Sequence, residues 1–224
     1  MRLTSDDQFA ADLRGFGAIG VLATLAILLG GNLTFGPMIT VPLGGLLALL
    51  WTWRSRTPWY AVGYVRPRNW LLSIAIGITL GVAFKLLMKT IIMPFLGASP
   101  VNPAYHALAG NNALLPGAIW TMLMAGFGEE TVFRGFLFER GSKLVRSKGV
   151  IVVVTASLFA LAHTFDQGKD GAEQAAITGL VFGTIFARTG QIFTLMFAHT
   201  AFDLTAVAII YCDIEARLGH LVFK

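Results

Sequence analysis

Long apolar runs separated by short polar segments fill most of the 224-residue chain. A membrane-spanning helix needs about 20 mostly apolar residues, so these runs predict about seven spans, with a range of six to eight. The candidate spans lie at residues 16–35, 37–53, 70–95, 114–138, 150–165, 173–187 and 191–211. The pattern therefore predicts an all-α fold, a polytopic transmembrane helical bundle in which residues 1–224 form a single domain.

Composition agrees with a membrane location. Hydrophobic residues make up 55% of the chain and charged residues only 13%, whereas about a quarter of the residues in a soluble domain are charged. The net charge is +5, but the basic residues lie between apolar runs and form no basic stripe, so we expect the lipid bilayer as a partner and no nucleic acid. Cys212 is the single cysteine, which excludes an internal disulfide and a paired-cysteine zinc site.

Basic residues predict the orientation, because loops rich in Lys and Arg stay in the cytoplasm. With seven spans, most of the 17 Lys and Arg residues fall on one side: Arg2, Arg14, Arg54, Arg56, Arg66, Arg68, Arg140, Lys143, Arg146, Lys148 and Arg188. The other side has Lys169, Arg217 and Lys224. We therefore expect a multi-pass integral membrane protein with a cytoplasmic N-terminus.

Several features inside and beside the spans indicate packing and interfacial positions. Gly77 with Gly81, and Gly179 with Gly183, have the GxxxG spacing that lets helices approach closely. The aromatic residues Trp51, Trp53, Trp59, Tyr60 and Trp70 lie where an interfacial belt is expected. Asn32, Pro37 and Pro42 allow a kink or a re-entrant segment in the first two spans. We interpret Lys85 and Lys89 as side chains that snorkel to the interface, with substrate contact as the alternative.

Ionisable residues also occur within three of the predicted spans. The fourth span reads GFGEETVFRGFLFER, the fifth SLFALAHTF and the seventh FTLMFAHTAFDL. Such groups cost several kcal/mol at membrane depth and are rare there unless they serve a function. The candidate site residues are Glu129, Glu130, Arg134, His163, His199 and Asp203.

Helical spacing suggests how these residues are arranged. Residues four apart share a helix face, so Glu130 is expected to pair with Arg134, and His199 to lie beside Asp203. Glu129 is rotated about 100° from Glu130, which would leave Glu129 free to face a polar cavity. A purely structural Glu-Glu-Arg cluster that locks helices together is the alternative.

The residue types narrow the chemistry further. Ser157 lacks a GxSxG setting, Cys212 is distant in sequence, and the HExxH zinc motif is absent. What remains is a carboxylate and histidines that act on water, with or without a metal ion.

Three stretches resemble the signature motifs of the CPBP family of CAAX-protease and bacteriocin-processing intramembrane proteases. They are EETVFRG, FALAH and GLVFGTIFARTGQIFTLMFAHTAFD, and the family patterns are EExxxR, FxxxH and HxxxN or HxxxD. The resemblance covers about residues 115–212. It implies an intramembrane endopeptidase that hydrolyses a membrane protein or lipidated peptide substrate.

The resemblance also implies residue roles. Glu129 and His163 would activate a water molecule to attack a peptide carbonyl, and His199 with the residue four positions later would stabilise the oxyanion. Glu130, Arg134 and Phe159 match the remaining motif positions and are expected to support the site.

Asp203 departs from the asparagine found at this last position in prenyl-protein proteases of the family. An ionised aspartate cannot donate a hydrogen bond to an oxyanion, so either Asp203 is protonated in that role or it orients His199 instead, and we favour the second role. This departure also weakens the expectation of a prenylated CAAX substrate.

Alternatives remain for the cofactor and the function. We expect no cofactor, with a zinc ion bound by Glu129, His163 and His199 as the less favoured alternative. A non-proteolytic immunity or scaffold protein with the same fold, and a small proton-coupled transporter, are the other candidate functions.

Overall fold

The structure, a computed structural model, describes residues 7–30 and 36–223, almost entirely as helices joined by short loops. Arg2, Asn32, Phe35 and Lys224, on which some predictions depend, lie outside these residues. The longer helices are α1 (Gln8–Arg14), α2 (Ala18–Gly30), α3 (Pro37–Arg54), α4 (Trp70–Phe95), α5 (residues 115–144), α6 and α7 (the two parts of Lys148–Thr189, divided at Gly168), α8 (Ile192–Tyr211) and α9 (Glu215–Gly219). Short 3-10 turns lie at Trp59–Val62 and His106–Leu108.

Three of the described helices are long and apolar enough to cross a membrane, namely Trp70–Phe95, Lys148–Thr189 and Ile192–Tyr211. The number rises to four if α1 and α2, which meet at an angle of 57°, form one broken span. The fold class is therefore confirmed as a helical membrane bundle, and the count of seven spans stays a prediction.

The 42-residue segment Lys148–Thr189 folds back on itself. A straight helix of this length would extend about 63 Å, twice the roughly 30 Å of a bilayer core. Gly168 interrupts it with φ 64° and ψ −159°, a conformation that favours glycine. The facing pairs, Lys148 with Ala187, Val152 with Gly183 and Ala156 with Gly179, show that α6 and α7 run antiparallel. The sequence predicted two separate segments here, and the structure agrees.

Close contacts between helices define the direction of the remaining segments. Gly77 of α4 faces residues 194–198 of α8, and Gly81 faces residues 198–202, so these two helices are parallel. Helices α3 and α5 are also parallel, since Trp120 bonds to Met38 at one end and Phe136 contacts Trp51 at the other. Both predicted GxxxG pairs are thus packing positions.

These directions bring the basic loops to one end of the bundle. Gly63, between α3 and α4, accepts a hydrogen bond from the backbone of Ile192 at the start of α8, and Arg140 bonds to the carbonyl of Gly15. We call this the basic end. The opposite end contains residues 96–114, the Gly168 turn and residues 212–223.

Trp51 corrects the prediction of a simple aromatic belt. Its side chain is 3% exposed, its indole Nε1 donates to the carbonyl of Leu13 at 3.0 Å, and the guanidinium of Arg140 lies 4.3 Å from its ring centroid. Trp51 therefore packs α1 against α3 and α5. Trp53, Trp59, Tyr60 and Trp70 are exposed, as an interfacial position requires.

The contact between α4 and α8 generates a prediction. A Cβ atom at Gly81 would lie 2.1 Å from the carbonyl oxygen of Ala198, so Gly81→Ala must push the two helices apart. We expect it to lower the free energy of unfolding by about 1–3 kcal/mol, measured by thermal unfolding in detergent. The matched control is Gly117→Ala, because no atom lies within 4 Å of a Cβ at that position. Equal stability of the two variants would contradict this packing.

Candidate active site

The site residues come from three helices of the bundle. Helix α5 supplies Glu129, Glu130 and Arg134, α6 supplies Phe159 and His163, and α8 supplies His199 and Asp203. Within α5 the backbone changes from α-helical to π-helical over Glu130–Leu137. Such wide i→i+5 turns are rare and frequently occur at functional sites.

Glu130 lies at the centre of the buried charges. Its Oε1 atom accepts a hydrogen bond from Arg134 at 2.9 Å and a second from His199 Nδ1 at 2.8 Å. The side chain of Glu130 is 0% exposed, that of Arg134 2% and that of His199 4%. The ion pair that the helical spacing predicts is present, and the contact with His199 adds a link between α5 and α8.

The bond to Glu130 determines how the imidazole of His199 is oriented. A carboxylate can only accept hydrogen bonds, so Nδ1 carries a proton that it donates to Glu130. The other nitrogen, Nε2, lies 3.6 Å from Glu129 Oε2 and 3.4 Å from Asp203 Oδ2. Both distances exceed those of a good N–H···O bond. His199 Nε2 and the two carboxylates therefore surround a common space in which a substrate oxygen can be bound.

Aromatic rings cover the other side of this charged group. The guanidinium carbon of Arg134 lies 4.8 Å from the ring centroid of Phe159 and 5.8 Å from that of Phe182. Glu130 Oε2 and Arg134 Nη2 have no hydrogen-bond partner within the described residues. Cation–π contact with the two rings thus accounts for part of the stabilisation of this guanidinium.

His163 lies in the same region but is held differently. Its Nδ1 atom is 2.9 Å from the carbonyl oxygen of Phe159 on its own helix, and its ring contacts that of Phe159 at 4.4 Å. A carbonyl only accepts, so Nδ1 is the donor, which leaves Nε2 as the acceptor in the neutral ring. His163 and Glu129 line one cavity, although no hydrogen bond joins them in the described part of the chain.

This cavity has a volume of about 770 Å³, within the range typical of ligand sites. Glu129, His163, His199 and Asp203 line one part of it. From there it extends toward the loops at residues 98–103 and 166–171, at the end of the bundle opposite the basic end. Mostly apolar residues from α2, α3 and α5 also line it: Ile27, Thr40, Val41, Gly44, Met122, Ala125 and Val132.

The two lysines of α4 also line the cavity, which overturns their interpretation as snorkelling side chains. Lys85 is 7% exposed, and its Nζ atom donates to Gln174 at 3.0 Å. Lys89 Nζ lies 2.8 Å from Glu215 and 2.7 Å from the carbonyl of Pro100. Both ammonium groups point into the bundle, because α7, α9 and the loop after α4 supply their polar partners. The sequence of α4 alone does not indicate these partners.

Two tyrosines that the sequence pattern did not identify lie near the site. Tyr105 lines the cavity and accepts a hydrogen bond from Gln167. Burial raises the pKa of Tyr105 to about 12, and the carboxylates of Asp203 and Glu129 act in the same direction. Burial likewise raises the pKa of Tyr64 to about 12. Its hydroxyl lies 2.8 Å from Thr131, next to Glu130. Both phenols are therefore neutral hydrogen-bonding groups at physiological pH.

The remaining histidines lie outside the site, and the described residues contain no preformed metal site. His106 and His220 are exposed and lie away from the charged cluster. Among residues 7–30 and 36–223, no three His, Cys, Asp or Glu side chains are arranged to hold a metal ion. The zinc site considered for Glu129, His163 and His199 is therefore not preformed in the part of the chain that the structure describes.

The burial of Glu130 predicts a large effect of its removal. Glu130→Ala would leave Arg134 as an unpaired buried cation, so we expect a loss of about 3–5 kcal/mol in the free energy of unfolding, measured by thermal unfolding in detergent. The matched control is Glu173→Ala, since Glu173 pairs at 3.5 Å with Lys169, which is 77% exposed. That change should cost at most about 1 kcal/mol. Adding Arg134→Met to Glu130→Ala should restore part of the stability, and the absence of any recovery would contradict the charge-pair explanation.

Comparison with known proteins adds independent information. Residues 111–205 match the model of the family described as type II CAAX prenyl endopeptidase, Rce1-like. The matched segment is somewhat less than half of the chain. It contains every residue of the charged cluster, from Glu129 to Asp203. No curated protein and no solved structure gives a significant match.

The family match, the apolar helices and the polar cavity all agree with a membrane-embedded peptidase. The chain is an integral membrane protein, and its family is one of CAAX-protease-type peptidases. The Rce1-like group is a branch of the family whose motifs the sequence resembles. Residues 111–205 of this chain therefore match the Rce1-like group of type II CAAX prenyl endopeptidases, which belongs to the CPBP family of CAAX proteases.

Proposed function

We propose that the protein is an endopeptidase that hydrolyses a peptide bond of a membrane-associated substrate, with water activated by Glu129 and His163. The observation that carries this proposal is the arrangement around His199. Its Nδ1 atom is held by the buried Glu130, while Nε2 faces Glu129 and Asp203 across 3.6 and 3.4 Å inside the cavity.

Glu129 is suited to the role of general base. Its side chain is 17% exposed and has no cation within hydrogen-bond distance among the described residues, whereas Glu130 is bound to Arg134 and His199. The contact of Glu129 with His199 Nε2, at 3.6 Å, is longer than a hydrogen bond, so Glu129 can take a proton from water without breaking one. His163 Nδ1 donates to the carbonyl of Phe159, so its Nε2 atom is the ring position that can accept and relay this proton.

The reaction then proceeds by addition and elimination. Water adds to the substrate carbonyl carbon as its proton passes to Glu129, and the carbonyl oxygen becomes an oxyanion. Collapse of this intermediate breaks the C–N bond, and the proton held by Glu129 or His163 moves to the departing amine. Water thus supplies the hydroxyl of one product and a hydrogen of the other.

His199 is the proposed donor to the oxyanion. Donation through Nε2 while Nδ1 is bonded to Glu130 requires a doubly protonated imidazole. The carboxylates of Glu129, Glu130 and Asp203 all lie within 3.6 Å of the ring, and each attracts such a charge. A donor that is held in place before the reaction needs little reorganisation as the oxyanion forms.

This arrangement shifts the role proposed for Asp203. The short hydrogen bond that orients the ring of His199 is the one that its Nδ1 atom donates to Glu130, and not a bond to Asp203. Asp203, 3.4 Å from Nε2, is left to balance the charge of the imidazolium on the cavity side. Its carboxylate needs no proton for that role, so the departure from asparagine is compatible with catalysis.

We also infer that the basic end faces the cytoplasm, as the positive-inside rule requires. The loops of that end contain Arg54, Arg56, Arg66, Arg68, Arg146 and Arg188. The cavity would then extend from the charged cluster toward the opposite side of the membrane.

Loss of the base provides the main test of function. We expect Glu129→Gln to lower cleavage by at least about 100-fold, because it removes general-base catalysis, and to leave the protein folded. The measurement is comparative membrane proteomics of cells with wild type or variant, which detects new peptide termini. His163→Ala should also lower cleavage, because His163 is the second proposed proton acceptor. The matched controls, Glu173→Gln for Glu129→Gln and His106→Ala for His163→Ala, should leave cleavage unchanged.

Other results would redirect the assignment. A scaffold would retain its partner or phenotype with Glu129→Gln, and a transporter would show proton-coupled flux in liposomes. If no terminus depends on Glu129, the peptidase proposal fails. If purified protein contains stoichiometric zinc, and chelation removes zinc and activity together, metal-independent catalysis is wrong.

The single cysteine tests the orientation. Cys212 is exposed and follows the last residue of α8, at the end opposite the basic end. With the basic end in the cytoplasm, a membrane-impermeant maleimide should modify Cys212 in right-side-out vesicles without lysis. The matched variant Cys212→Ser/Ser147→Cys places the thiol at the basic end and should react only after lysis. The reverse pattern would show that the orientation is inverted.

A further inference from the structure

Lys85 is a buried cation without a carboxylate partner. Its side chain is 7% exposed, its Nζ atom donates to the neutral amide of Gln174 at 3.0 Å, and it lies 4.7 Å from the ring centroid of Phe202. No Asp or Glu among the described residues comes within ion-pair distance of it. A buried charge is costly unless an opposite charge and hydrogen bonds compensate for it.

Lys89, one helical turn further along α4, shows the usual solution. Its Nζ atom forms an ion pair with Glu215 at 2.8 Å and a hydrogen bond to the carbonyl of Pro100. Both lysines line the same cavity. The contrast suggests that Lys85 lacks its partner because that partner arrives with a ligand.

The position of Lys85 along the bundle relates it to the catalytic cluster. Helices α4 and α8 are parallel, and Gly81 packs against residues 198–202. Lys85, one turn beyond Gly81, is therefore displaced from the level of His199 toward the end opposite the basic end, by about 7 Å at 1.5 Å per residue. An extended peptide covers about 3.3 Å per residue, so two or three residues bridge this distance.

The carboxylates nearest to Lys85 are already engaged with other groups, so its charge can be compensated by one further anion. Asp203, Lys89 and Glu215 are the charged groups near enough to act on Lys85 through space. Glu215 is bound to Lys89, and Asp203 lies next to Nε2 of His199. A carboxylate at Lys85 would also be repelled by Glu129 and Asp203, which favours its location on the far side of the cluster.

We propose that Lys85 binds a carboxylate of the substrate two or three residues beyond the scissile bond, either the terminal α-carboxylate or an Asp or Glu side chain. Lys85 is thus a specificity-determining residue that sets where the peptide is cut. This inference rests on the proposed peptidase function. It also makes a separate statement about binding, which can be measured without turnover.

The test compares peptides that differ only in this charge. The probes are internally quenched farnesylated Cys-aliphatic-aliphatic-X peptides with a free C-terminal acid, with a C-terminal amide, and with an amide plus Glu at the last position. Full-length protein in lipid nanodiscs should favour the acid over the amide by about ten-fold or more in kcat/KM, mainly through KM, as expected for a hydrogen bond between charged groups. Recovery with the Glu-amide peptide would show that a side-chain carboxylate serves as well.

Substitutions then connect the preference to the residue. Lys85→Met should abolish the acid-over-amide ratio by lowering kcat/KM for the acid more than for the amide, and Lys85→Arg should keep part of the ratio. Lys169→Met is the matched control, because Lys169 lines the cavity mouth but is 77% exposed, and it should keep the full ratio. Equal cleavage of all three peptides by wild type, or an equal loss for acid and amide in Lys85→Met, would overturn the proposal.

Binding separates this inference from the peptidase proposal. Fluorescence anisotropy of the same peptides with Glu129→Gln protein should show tighter binding of the acid, and the preference should disappear in Glu129→Gln/Lys85→Met. If wild type cleaves none of the peptides but this binding preference is found, the peptidase proposal loses support while the carboxylate site stands. Equal binding of acid and amide would overturn the carboxylate site.

Discussion

One carboxylate oxygen, Glu130 Oε1, holds the centre of this structure together. It accepts hydrogen bonds from Arg134 on its own helix and from His199 on α8, in a position with no solvent exposure. Loss of one member of such a group leaves an uncompensated charge in a medium of low dielectric constant. The direction of His199, and therefore the location of its free nitrogen in the cavity, depends on this contact. Phe159 and Phe182 cover the guanidinium, so the α6–α7 hairpin packs on the same group.

The same contact explains why two adjacent glutamates have different environments. Glu130 begins the π-helical segment and is buried against two cationic or hydrogen-bonding partners, whereas Glu129 ends the α-helical segment and borders the cavity. A committed carboxylate is a poor base, because protonation would break its ion pair. An uncommitted neighbour can change its protonation state at lower cost. Adjacent residues of a helix point in directions about 100° apart. This difference gives two identical side chains a structural role in one case and a proposed catalytic role in the other.

Sequence reasoning predicted those features of the site that are local to one helix. The Glu130–Arg134 pair, the proximity of His199 to Asp203 and the GxxxG contacts all follow from helical spacing. The contact between Glu130 and His199 joins residues 69 positions apart, and no single-helix pattern contains it. The burial of Trp51, the inward direction of Lys85 and the position of Tyr105 also depend on neighbours from other segments. The resemblance to a known family identified the candidate site residues. Only the packing of the helices shows which of their atoms face each other.

The charges in the cavity also account for how a peptide would be oriented. Glu129, Asp203 and the bonded Glu130 surround His199, while Lys85 lies about one turn of helix further from the basic end. A peptide carboxylate is repelled by the first group and attracted by the second, so one placement along the cavity is favoured over its reverse. With the carboxylate at Lys85, a carbonyl two or three residues earlier reaches the level of His199 Nε2. The electrostatic asymmetry that suits His199 to the proposed role of donor would therefore also select which peptide bond it meets.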